Sequence, residues 1–91
     1  MAMTAILKTL DELSYVIECA ALDFLGEGRT ELGKLCENLE SNPAYAFEGS
    51  AEILAGLREA LALYRKDNKV DGSTRLTQVS RALWRIVNGN G

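Results

Sequence analysis

The sequence predicts an all-α protein: a small bundle of about four helices (approximately 3–26, 30–41, 43–67 and 73–88) in antiparallel arrangement, forming one domain over residues 1–91. Three observations support this. Apolar residues recur at three-and-four spacing along most of the chain. No run of alternating β-branched residues occurs. Glycine, asparagine and serine, with the single Pro43, gather where the apolar stripes stop.

In the first helix Met3, Ile6, Leu7, Leu10, Leu13, Ile17, Ala20, Ala21 and Phe24 form one stripe, which ends near Gly26. The second half, YVIECAALDFL, is apolar on the opposite side as well. Tyr15, Cys19 and Leu22 face away from the stripe, and only Glu18 and Asp23 are charged. A helix that is apolar on both sides must be covered on both sides, either as the central helix of a bundle or by another protein molecule.

Gly26 to Arg29 read as a break. Thr30 then caps a shorter helix, with Glu31 favoured in its first turn by the helix dipole and Leu32, Leu35, Cys36 and Leu39 on its apolar stripe. Ser41-Asn42-Pro43 closes that helix and opens the third, since Asn caps and Pro suits the first helical position. The third helix carries Phe47, Ala51, Leu54, Leu57, Leu61 and Tyr64 on one stripe, and Ala46, Gly49, Ile53, Gly56, Ala60 and Leu63 on a second row beside it. An interior glycine costs about 1 kcal/mol relative to Ala. Two glycines on one row therefore point to close approach of another helix, with the Ala20/Ala21 region as the expected neighbour. The alternative is a break at Gly49-Ser50, with Ser50 capping a fresh helix. DNKVDGS, residues 67 to 73, reads as the main loop. Ser73 or Asp71 caps the last helix, which bears Leu76, Val79, Leu83, Ile86 and Val87 and is stopped by NGNG.

Two stretches resemble chemical motifs and fail on inspection. GEGRTELGKL, residues 26 to 35, separates Gly28 from Gly33-Lys34 by four residues, as in a phosphate-cradling loop. Such a loop follows a strand and ends in Ser or Thr, whereas here a helix precedes it and Leu35 occupies the metal-binding position. DNKVDGSTRLTQ, residues 67 to 78, partly fits a calcium loop through Asp67, Asp71 and Gly72. Lys69 and Gln78 stand where an oxygen ligand and the closing bidentate Glu are required.

The chain has no histidine, so the commonest general base near neutral pH is missing, and Cys-His or Ser-His nucleophile pairs cannot form within it. Cys19 and Cys36, 17 positions apart with no second pair, make a poor zinc set and read as small apolar residues. No metal, no cofactor and no catalytic residue is expected. The net charge of −3 and pI near 4.9 weigh against general nucleic-acid binding. No apolar stretch approaches the roughly 18 residues of a membrane span, and no leader pattern is present, so the expectation is a cytoplasmic protein.

One charge asymmetry remains. From Ser73 onward there is no acid, while Gln78, Arg81, Arg85 and Asn88 form a polar strip on the last helix. Trp84, near the edge of the apolar stripe, is expected in the core. These readings lead to a non-catalytic protein-interaction module, a homo-oligomeric regulator or inhibitor. Its interface is expected at Tyr15, Cys19 and Leu22, assisted by Gly49 and Gly56. The alternative is capture of an anionic small ligand or nucleic acid through Arg81 and Arg85.

Overall fold

A computed structural model describes residues 2–21 and 25–89 of the chain. Four helices, α1 (Ala2–Ala21), α2 (Leu25–Ser41), α3 (Ser50–Arg65) and α4 (Lys69–Gly89), and a single 3-10 turn at Pro43–Tyr45 account for its regular structure. Each helix touches its two neighbours in the ring α1–α2–α3–α4–α1, while the diagonal pairs do not meet among the described residues. The all-α bundle read from the periodicity is thus the fold.

Neighbouring helices run antiparallel, as three levels of the α3/α4 contact show. Gly49 lies by Ile86, Gly56 by Val79 and Arg75, and Tyr64 by Gly72. The side chains enclosed by the ring include Leu13, Leu32, Leu57, Leu76 and Leu83, all fully buried, with Ile6, Val16 and Leu35 close behind. Thr9 is also wholly buried, and its hydroxyl donates to the carbonyl of Ala5 at 2.9 Å, so no polar group is stranded there.

The helix ends depart from the sequence reading in three places, each for a tertiary reason. First, the first helix does not run to Gly26. Leu25, Gly26, Glu27 and Gly28 already belong to α2, and Thr30 does not cap, because its hydroxyl donates back to the carbonyl of Gly26 at 3.1 Å. Gly28 lies where α1 packs on this turn, since a Cβ there would sit 3.4 Å from Cys19 Cβ, whereas Gly26 faces open space. GEGRTELGKL is therefore helical throughout, with Leu32 and Leu35 in the core, so Gly33 and Lys34 sit inside a helix rather than in a phosphate cradle. Phe24, assigned to the first stripe, lies outside the described residues.

Second, the third helix begins at Ser50, not Pro43. Asn42 does cap, its side-chain oxygen accepting from the Ala44 amide at 3.0 Å, but Pro43 to Tyr45 make only one 3-10 turn. Tyr45 and Phe47 turn into the core and pull the chain out of helical geometry. Gly49, at φ 91°, supplies the left-handed residue that redirects the chain into α3. The break weighed as the alternative is real, with Gly49 rather than Ser50 at the cap position.

Third, α4 starts four residues before Ser73, and the loop shrinks to Lys66–Asn68. Asp67, at φ 60°, donates to the Tyr64 carbonyl at 3.1 Å, and Asn68 donates to the Leu63 carbonyl at 2.9 Å, which together close α3 in a Schellman arrangement. Asn68 then opens α4. Its side-chain amide donates to Asp71 Oδ2 at 2.8 Å while its side-chain oxygen faces the Asp71 amide at 3.4 Å. With residues 69 to 78 helical, the supposed calcium ligands Asp67 and Asp71 stay exposed at the start of a helix instead of lining a loop.

Candidate interaction surface

The residues expected to make an interface are scattered by the fold. Cys19 is buried in the α1/α2 seam. Gly56 is buried too: a Cβ there would come within 2.6 Å of Val79 Cγ2. The close approach announced by the glycine row is therefore internal and is made by α4, not by the Ala20/Ala21 region or by another molecule. Gly49 is exposed, but its φ of 91° is explained by the turn into α3. Tyr15 is exposed, and its hydroxyl donates to the Glu27 carboxylate on α2. That hydrogen bond, with the Cys19 thiol beside it, pushes the phenol well above the ordinary tyrosine range. Leu22 lies outside the described residues.

A different surface emerges at the outer edge of the α1/α4 seam. Ile17 and Ala20 of α1 line a cavity of about 170 Å³ with Tyr64 of α3 and Ser73, Leu76 and Thr77 of α4, so these sides of α1 and α4 are turned toward each other. Trp84 lies one heptad beyond Thr77 on the same row of α4, and it is 51 % exposed. It is not the core residue expected from the sequence. Leu7, placed on the first stripe, is 48 % exposed; it stands between Met3 and Leu10 on the α4 side of α1.

The two residues are also at one height. In antiparallel helices, ten residues back from Ile17 is Leu7 and ten forward from Leu76 is Ile86, two positions from Trp84. At about 1.5 Å per residue, that is a displacement of roughly 3 Å along the axis.

Charge is divided across this seam. On the outer side of α1 stand the exposed Asp11, one turn beyond Leu7, and Glu18, two turns further along. On the outer side of α4, flanking Trp84, stand the exposed Arg81 and Arg85 with Gln78 and Asn88, the polar strip visible in the sequence. None of these four charged side chains has an ion-pair partner among the described residues. Elsewhere on the bundle, arginines are engaged: Arg58 pairs with Glu40 across α2/α3, and Arg75 with Glu59 across α3/α4 at 2.8 Å.

Leu7 and Trp84 were missed because periodicity places a residue on an arc and does not say how much of that arc a neighbour covers. One signal was present. Trp84 sits three residues after Arg81 and four before Asn88, so it adjoins the polar strip.

A second, open groove of about 610 Å³ runs between α2 and α3, with Arg29, Lys34, Glu37 and Arg65 on its walls and Gly33 on its floor. Arg29 reaches the Tyr64 carbonyl at 3.4 Å, and Arg65 occupies the last turn of α3, where cations balance the negative end of the helix dipole. Lys34 pairs with Glu31 at 3.4 Å. The groove's cations thus serve the fold.

Among the described residues no three His, Cys, Asp or Glu are placed to hold a metal ion, and no helix is long and apolar enough to cross a membrane. Burial pushes the Cys36 thiol up, away from a reactive thiolate. Comparison with protein-family models, with curated proteins and with solved structures finds no match.

Proposed function

We propose that this chain is a small, non-catalytic protein-interaction module that works in the cytoplasm as a regulator or inhibitor, and that it binds through the α1/α4 face. The observation that carries this reading is the exposure of its only tryptophan, at 51 %, between two arginines that have no partner among the described residues. Tryptophan and arginine are the residues that most often dominate binding energy at protein interfaces. Trp84 keeps about half of its surface in water, which leaves the indole available to a partner's pocket. This reading keeps Arg81 and Arg85 from the sequence and replaces the Tyr15, Cys19, Leu22, Gly49 and Gly56 surface with Trp84 and Leu7.

The test uses the full chain as bait in lysate of its native host, alongside Trp84→Ala and, as a control on another face, Arg58→Ala. A protein retained by the wild type and by Arg58→Ala but lost with Trp84→Ala supports the reading. Equal retention by all three removes it.

A second reading has its own observation. An exposed aromatic ring beside unpaired arginines is also how single-stranded nucleic acid is stacked and neutralised. The net charge of −3 opposes it. Binding of a short single-stranded oligonucleotide that weakens steeply as salt rises would favour this alternative over an apolar protein contact.

A further inference from the structure

The α1/α4 face has a property that goes beyond being sticky: it is complementary to itself. We infer that the protein docked on it is a second copy of this chain, related by a two-fold axis lying in the contact plane parallel to the helices. The inference rests on the interaction face proposed above and names its occupant.

Such an axis lays α1 of one copy along α4 of the other at unchanged height. Six residues back from Ile17 is Asp11, and six forward from Leu76 is Ala82, which is flanked by Arg81 and Arg85. Asp11 of the second copy therefore arrives level with the two guanidiniums, and by symmetry the first copy's Asp11 meets the second copy's arginines. Trp84 comes level with the part of the second copy's α1 between Leu7 and Asp11, so each exposed indole is offered the other copy's exposed leucine.

No carboxylates are forced together, and Lys8, which comes level with Arg85, lies over the Tyr45 ring of its own copy. From Ser73 on, α4 carries no acid, so neither Asp11 nor Glu18 of the second copy faces a carboxylate there. Rotation about an axis across the helices would instead set α1 on α1 and bring the acidic edges together, which costs energy. Charges unpaired within one copy thus find opposite partners in the other, and the apolar pair lies between them, as in an interface with a buried centre and a polar rim.

Sedimentation velocity from micromolar to millimolar protein tests this, with circular dichroism of each variant to show that it folds. The wild type is expected to form a dimer with rising concentration, and Trp84→Ala to weaken it by about tenfold or more. Asp11→Arg alone is expected to be monomeric, and so is the double variant Arg81→Glu/Arg85→Glu. An equimolar mixture of those two is expected to dimerise, because each copy then presents opposite charge to the other. All the charge substitutions are at exposed positions, so folding is preserved.

A wild type that stays monomeric at millimolar concentration overturns the inference, and so does a mixture of folded variants that fails to associate. If either happens while Trp84→Ala still loses a captured protein, the interaction face stands with a different occupant. If a dimer forms but ignores Trp84→Ala and every charge variant, both the inference and the face are wrong.

Discussion

Helix α4 has two flanks, and they are finished differently. Toward α3 it is fitted as closely as backbones allow: Val79 presses on Gly56, the Tyr64 ring lies against Gly72, and the Tyr64 hydroxyl meets Ser73 Oγ at 2.8 Å. Toward α1 the same helix leaves Trp84 half in water, level with an equally exposed Leu7. Glycine appears where the fold closes on itself, and large side chains stand out where it does not. The contrast separates surface that stabilises the monomer from surface left over for something else.

The largest effect should come from within the ring. Leu57→Ala, at a position with no exposure, is expected to cost about 2–5 kcal/mol in denaturant unfolding. Next is the closed flank of α4. Gly56→Ala gains helix propensity but drives a methyl into the stiff, β-branched Val79, for a net loss of about 1–2 kcal/mol. In the double variant Gly56→Ala/Val79→Ala the losses should sum to less than the two single ones, since the obstructing methyl is gone. A neutral Gly56→Ala would mean that the α3/α4 seam is looser than described, and the contrast would fail there.

Alkaline pH provides a test away from α4, at the 3-10 turn. Burial, then the neighbouring Glu12 carboxylate, pushes the Tyr45 hydroxyl up to about 12, so its folded pKa lies above the ordinary value of 10.0. A raised pKa means that the contribution to stability is complete below pH 10 and is lost as pH climbs toward 12. Ultraviolet titration of the tyrosines, followed with unfolding midpoints, should show Tyr45 ionising late and stability falling in that window.

Leu7→Ala and Trp84→Ala, each removing a side chain with about half its surface in water, should lower the stability of the dilute protein by only about 1 kcal/mol, well below the loss at Leu57. The same leucine-to-alanine change at 57 and at 7 then measures the contrast directly. A loss of several kcal/mol at Leu7 or Trp84 would make the open flank part of the monomer's core after all. Smaller again is the turn that joins the closed pair. Asp67 is strained by its left-handed conformation, so Asp67→Gly should raise stability by about 0.5–1 kcal/mol.

The candidate site was legible in part. Arg81 and Arg85 could be identified because a strip of polar residues at helical spacing in an acid-free stretch is a property of the chain itself. Of the glycine row, Gly56 marked a close helix contact while Gly49 serves the turn into α3, and the choice between α4 and another molecule needed the packing. Trp84 was assigned to the core because an aromatic at the margin of an apolar stripe falls on either side of the water boundary according to how far the neighbouring helix reaches.

The same division holds for the fold. Periodicity and the absence of histidine belong to the residues themselves, so the all-α bundle and the lack of a histidine-based catalytic pair follow from the sequence alone. Helix ends and exposed faces do not. Gly26, Gly28 and Gly72 each disfavour a helix locally by about 1 kcal/mol. That penalty is offset at Gly28 by the approach of α1 and at Gly72 by the Tyr64 ring, while Gly26, with no neighbour of its own, is carried in the same first turn as Gly28. Local preference is worth about as much as one good contact, and tertiary packing supplied the contacts that decided where each helix stops and which side of α1 and α4 meets water.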